Sequence, residues 1–176
     1  NNIISGDNVQ LPEYSFRRIF KFLDLNEKDI FYHLGCGDGK GIAIASEEFN
    51  VKKAVGVENN KENIQQAEKL LKKKNLKNIE LLFEDIKTAK INDATVVLFW
   101  FTDNDIIETM MKKFESLQHG SRIITIWGPL PGCLPAKVDF PYIINTVPFK
   151  SADLKEQLLA IFDTKCIDFV TAWEYA

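Results

Sequence analysis

Apolar residues recur along this chain in two alternating patterns, one at helical spacing and one in short continuous runs. Phe16, Ile19, Phe20 and Leu23 fall on one helical face after Pro12, which suits a first helical turn, so the spacing predicts a helix there. Residues 29–34, DIFYHL, form a short apolar run that breaks into the glycine-rich GCGDGKG and resumes as a helix-like stretch over 42–49. A second strand, AVGVE at 54–58, leads into a helix over 61–74 whose Ile64, Ala67, Leu70 and Leu71 share a face. The alternation continues with strands at 79–83, 95–101 and 122–127 and a helix over 104–117. Such βα alternation predicts a parallel sheet covered on both faces.

Beyond residue 127 the pattern changes. A Pro- and Gly-rich loop, GPLPGCLPAKVDFP at 128–141, precedes a strand at 142–147, a helix over 152–162 and a strand at 166–173. The last two strands are expected to lie together at one edge, the final one antiparallel. The predicted fold class is therefore α/β: a doubly wound, mostly parallel seven-strand sheet with helices on both faces. No internal repeat, low-complexity stretch or composition boundary interrupts it, so residues 1–176 read as one domain.

The sharpest chemical signal is the run from His33 to Gly39. Glycines at alternate positions directly after a strand let the backbone turn tightly and approach a ligand. A dinucleotide fingerprint needs its third glycine at position 40, which is Lys40, and a P-loop needs Ser or Thr after the lysine, where Gly41 stands. Glycines at 35, 37 and 39 instead follow a GxGxG form. Glu58 closes the second strand 19 residues after Gly39, where its carboxylate can accept from both hydroxyls of a ribose. Asp85, ending the third strand, can accept from an exocyclic amine, and Ile86 can cover a flat base. Each carboxylate also has a plainer reading, a solvated strand end for Glu58 and a turn residue for Asp85.

Composition narrows the partners. A net charge of -3 gives no bulk attraction to a phosphate backbone. The lysines at 69, 72, 73 and 74 are interrupted by Glu62 and Glu68 on the same helix and read as a solvated face. Cys36, Cys133 and Cys166 match neither a disulfide framework nor a metal site, so no metal is expected and a reducing, cytoplasmic setting fits. The longest apolar run, residues 94–101, is far short of the ~20 residues that span a bilayer. The expectation is a monomer with no membrane contact.

The segments HLGCGDGK, GVE, FEDI and ATVVLFWFT together resemble the cofactor half of class I S-adenosylmethionine methyltransferases, over roughly residues 11–127. More narrowly, LPEYSFRRIF, LGCGDGK, NVKKAVGVE and DATVVLFWFT are similar to the small archaeal seven-strand protein lysine methyltransferases and their short mitochondrial relatives. The resemblance implies S-adenosylmethionine bound across Gly35, Cys36, Gly37, Asp38 and Gly39, its ribose on Glu58 beside Asn59, its adenine near Asp85 and Ile86, and S-adenosylhomocysteine as product. It implies methyl transfer to lysine amines of a protein substrate. It also implies a lid, with residues 8–12 and Tyr14 folding over the cofactor; the single domain then divides into an N-terminal lid and helix at 1–24, a cofactor-binding core at 29–127, and an acceptor-side loop and edge strands at 128–176. One departure stands out: the class places Asp or Glu where this chain has His33, and an imidazole can accept a hydrogen bond there without supplying a negative charge. A second departure is the lack of an NPPY or DPPY tetrapeptide, replaced by Phe99-Trp100-Phe101-Thr102, which disfavours methylation of nucleic-acid adenine amines.

A sulfonium already carries an activated methyl group, so the protein's task is to align the acceptor and exclude water. A lysine must first lose a proton, at a cost of roughly 4–5 kcal/mol at pH 7, which an apolar channel reduces. Trp100 and Phe101 are candidates for the walls of that channel and Thr102 for orienting the amine, although both aromatics also read as core of a buried strand. A small-molecule or RNA methyltransferase, and a non-catalytic binding domain, share the same cofactor half.

Overall fold

The computed structural model describes residues 10–162. The first two residues of the expected lid segment, Asn8 and Val9, and the strand expected at 166–173 lie outside the described residues. In chain order the elements are α1 (Glu13–Phe22), β1 (Ile30–Leu34), α2 (Lys40–Glu47), β2 (Lys53–Glu58), α3 (Lys61–Lys74), β3 (Ile79–Phe83), β4 (Val96–Phe99), α4 (Asn104–Glu115), β5 (Arg122–Ile126), β6 (Lys137–Asp139), β7 (Tyr142–Thr146) and α5 (Leu154–Phe162).

Seven strands form one sheet in the order β3-β2-β1-β4-β5-β7-β6. The first five are parallel, β7 runs antiparallel to β5, and β6 antiparallel to β7. The fold is the doubly wound, mostly parallel α/β arrangement expected from the sequence. Alternate residues of each central strand serve opposite faces. Phe31 of β1 packs with Phe16, Ile19 and Phe20 of α1 and Ile42 of α2, whereas Tyr32 and Leu34 pack with Met110 and Phe114 of α4. The chain leaves β1 toward β2 on one side and returns beside it as β4 on the other. That reversal of strand order opens a crevice at the carboxyl ends of β1 and β4, the place where such sheets bind ligands.

The opposite pole is clamped by charge. Asp29 accepts from Thr95 Oγ1 (2.8 Å) and from the Asn26 N–H (3.0 Å), and pairs with Arg122, which also donates to the Leu23 carbonyl. These bonds tie the starts of β1, β4 and β5 to the end of α1.

Among the boundaries that differ from the sequence reading, three have a clear physical reason. The antiparallel edge strand is β6, which falls inside the segment read as loop 128–141. It has only three residues, and Arg18 of α1 holds its Asp139 through a two-nitrogen contact. Next, β4 ends at Phe99, because after Leu34 the Gly35 and Cys36 N–H groups both turn to the Val57 carbonyl (2.8 and 3.0 Å) and leave β4 without a partner. Trp100 and Phe101 therefore lie beyond the sheet, half-buried, rather than inside a buried strand. Finally, α5 begins at Leu154: Asp153 accepts from the Glu156 N–H while Glu156 accepts from the Asp153 N–H, each at 2.8 Å, a reciprocal cap.

Candidate active site

The loop from β1 to α2 owes its course to its glycines. Gly35, Gly37 and Gly39 all have positive φ (74°, 55° and 80°), a region that side chains with a Cβ rarely enter. Their surroundings differ. A Cβ on Gly35 would touch the Phe101 ring at 3.0 Å, whereas one on Gly39 would meet Ala67 Cβ of α3 at 2.9 Å. Gly39 thus serves helix packing and is absent from the cavity wall.

Glu58 knits this loop to the next. Its Oε2 accepts from the Gly37 N–H (2.9 Å) and its Oε1 from the Asn60 N–H (2.8 Å), and the residue is only 7% exposed. Each oxygen keeps a further lone pair. Asn60 in turn caps α3, its side chain accepting from the Glu62 and Asn63 N–H groups.

Between these loops lies a cavity of about 390 Å³. On its β1 side it is lined by His33, Gly35, Cys36, Gly37 and Asp38, and on its β2 side by Glu58, Asn59, Asn60 and Asn63. Asp85 and Ile86 supply the wall after β3, and Trp100, Phe101 and Ile106 that after β4. Gln10, Leu11 and Phe16 line it from the amino-terminal side. Tyr14 does not; it stands 73% exposed in the first turn of α1. Of the residues that sequence reasoning passed over, Asn60 carried a legible signal as a helix cap. Gln10 and Leu11 belong to the segment 8–12 expected as a lid, and both line the cavity. Among the described residues no lysine or arginine lines the cavity, whereas Asp38, Glu58 and Asp85 do. Such a wall suits a hydroxylated or cationic ligand and opposes a phosphate.

Several groups are held in defined states. His33 is buried against the edge of Phe16, ring centroids 5.5 Å apart, and burial pulls its pKa down to about 4 in spite of Asp38, so the imidazole is neutral near pH 7. Its Nδ1 has no hydrogen-bond partner among the described residues. Burial, then the charge of Glu58, pushes the Cys36 thiol well above its ordinary value, which removes it as a nucleophile. Asp85 accepts from the Lys87 N–H (2.8 Å), so the turn role and the wall role coexist. Beneath that turn Lys113 donates to the Ile86 and Ala89 carbonyls (3.2 and 2.8 Å), fixing the loop that carries Asp85. Among the described residues no group of three or more His, Cys, Asp or Glu side chains is placed to hold a metal.

Gly41 sits where α2 crosses His33. A Cβ there would lie 2.7 Å from Phe16 Cε1 and 2.8 Å from His33 Nδ1. Gly41→Ala is expected to lower stability by ~1–2 kcal/mol through overpacking, read as a lower urea midpoint with unchanged slope. A midpoint at or above that of the wild type would show that the two rings yield freely.

A second cavity of about 310 Å³ adjoins the first. The two share Trp100, Phe101 and Ile126. Beyond them the second is lined by Phe99, Thr102, Ile107, Thr125 and the segment 127–131, and among the described residues no charged side chain lines it. Thr102 belongs to this cavity alone. So does Trp127, which sequence reasoning counted only as the end of a strand; φ of 73° takes it out of β5 instead.

A glycine loop, a strand-end carboxylate and a phosphate-averse cavity at the strand reversal define a Rossmann-like protein built for a nucleoside ligand without phosphates. Comparison with known proteins narrows this. The family model for the methyltransferase domain matches residues 26–126. A protein-lysine N-methyltransferase from Saccharolobus islandicus is 35% identical over 132 residues, which cover 74% of this chain and 81% of that protein. The chain belongs to the methyltransferase domain family and is a methyltransferase. Solved structures share its fold: an RNA methyltransferase from Salinibacter ruber, crystallised with S-adenosyl-L-homocysteine, superposes with a TM-score of 0.74 at 24% identity, covering 82% of this chain and 97% of that one. The tRNA (m1A58) methyltransferase TrmI from Aquifex aeolicus gives a TM-score of 0.56 at 24% identity, covering 71% and 50%. Among the described residues no helix is long and apolar enough to cross a membrane.

Proposed function

We propose that the protein transfers the methyl group of S-adenosylmethionine to lysine amines of a protein substrate. The carrying observation is the second cavity, an aromatic and aliphatic pocket without a charged side chain that meets the cofactor cavity at Trp100 and Phe101. The lysine activity of the Saccharolobus islandicus relative supports the same reading.

The cofactor cavity fits S-adenosylmethionine in its chemistry. Glu58 would take the ribose hydroxyls, Asp85 and Ile86 the base, and the neutral His33 would stand near the amino-acid end, where the carboxylates of the wall favour a cationic ligand. When bound, the cofactor supplies a methyl group activated by its sulfonium. The chain's residues supply the rest. Trp100, Phe101 and Leu130 exclude water from the acceptor, which favours the uncharged amine that attacks. Thr102 Oγ1 can hold that amine in line. Asp103, the cap of α4, and Glu108 on that helix are exposed beside Asp105, which pairs with Lys87 (3.0 Å), an acidic rim that suits a lysine-bearing chain better than a phosphate backbone.

Among the described residues no ionisable side chain lines the second cavity, so the amine loses its proton to water. The rate with subsaturating substrate is therefore expected to rise about tenfold per pH unit from 7 toward the lysine pKa. A plateau below pH 8 would place a base in the pocket instead.

The assignment itself is tested by incubating the protein with methyl-labelled S-adenosylmethionine and a cell lysate. Protease-sensitive label that hydrolyses to methyl-lysine is the expected result. Label removed by nuclease would assign the acceptor to RNA, the reading that the Salinibacter ruber enzyme favours. Absence of any label would leave a binding domain.

A further inference from the structure

Trp127 is built unlike any other aromatic residue of the described chain. It follows directly on β5 with a φ of 73°, a conformation normally left to glycine and unusual for a bulky side chain. Two bonds hold the backbone there: the Trp127 N–H donates to the Pro141 carbonyl (2.8 Å), and Thr125 Oγ1 donates to the Gly128 carbonyl (2.7 Å). The strain does not serve burial, because the indole remains 61% exposed. One part of the residue lines the second cavity alongside Phe101 and Thr102, and Phe140 braces the indole edge-on, ring centroids 5.5 Å apart at 83°. A chain that spends strain to hold an aromatic surface at the mouth of an uncharged pocket is using that surface for contact.

We infer that Trp127 is the specificity-determining residue of the acceptor site, its indole face receiving the cationic amine group of the incoming side chain before the proton is lost. This rests on the reading of the acceptor as an amine. The ring quadrupole attracts an ammonium or a methylated ammonium, and among the described residues no carboxylate lines the pocket to compete for it. Because each added methyl loses no hydrogen-bond partner on an aromatic face, the same surface accepts partly methylated amines.

The test uses the full chain saturated with S-adenosylhomocysteine and two isosteric probes, choline and its uncharged carbon analogue 3,3-dimethylbutanol, titrated by NMR. Wild type is expected to prefer choline by roughly tenfold. Trp127→Gly, which relieves the positive φ, is expected to abolish the preference while S-adenosylhomocysteine affinity and the melting midpoint hold. Trp127→Phe should retain most of it. Trp127→Leu, which keeps bulk without a ring face, carries the same comparison should the glycine variant fail to fold. No preference in wild type, or a preference that survives in Trp127→Gly and Trp127→Leu, overturns the inference. Failure of the lysine reading shows separately, as nuclease-sensitive label in the lysate experiment.

Discussion

Replacing Glu58 with alanine is expected to weaken S-adenosylhomocysteine binding at least a hundredfold, ~3 kcal/mol, as measured by calorimetry. The size follows from the two tasks of one buried carboxylate. Its oxygens accept from the Gly37 and Asn60 N–H groups, which shapes the cavity, and their remaining lone pairs face the space assigned to the ribose. Charge-assisted bonds of this kind are each worth ~1.5–3 kcal/mol, and alanine also leaves two backbone donors unanswered. Glu58→Gln keeps the shape but presents one amide nitrogen to a donor, so its loss should be intermediate. Wild-type affinity in the alanine variant would move the ribose elsewhere.

Acidification is expected to cost the fold roughly 3 kcal/mol between pH 6.5 and 4 through His33 alone. In the folded chain the imidazole is buried and its pKa lies at about 4, whereas the unfolded chain takes up the proton near the ordinary value of 6.5. The unfolded state therefore binds more protons throughout that window. The contribution is complete above pH 6.5, is lost progressively as pH falls, and is gone at about 4. Urea unfolding of wild type and His33→Gln at half-unit steps of pH isolates it, because the carboxylates are common to both. Parallel curves for the two proteins would mean that His33 is solvated in the native state.

Much of this architecture is legible in the residues because a parallel sheet buried on both faces leaves little choice. Runs such as VVLF and RIITI have no polar face to offer, and each sits beside a helix whose apolar stripe repeats at helical spacing. The cofactor cavity is legible for a related reason: positive φ demands Gly35 and Gly37, and a carboxylate at a strand end is conspicuous. What escaped notice depends on contacts made across the chain. A three-residue strand has no periodicity, and β6 exists only because β7 pairs with it and Arg18 grips Asp139. The end of β4 is decided by where Gly35 and Cys36 send their N–H groups, and Trp127 leaves β5 through a bond to Pro141. Apart from the neighbouring β7, these partners are distant in sequence.

The wall common to both cavities divides the molecule's scope for change unevenly. Trp100, Phe101 and Ile126 line both cavities, so a substitution there reshapes the two together. Trp127, Pro129, Leu130 and Pro131 face the second cavity alone. A lineage, or an engineer, can reshape the second cavity at positions such as these while the wall of the first stays intact.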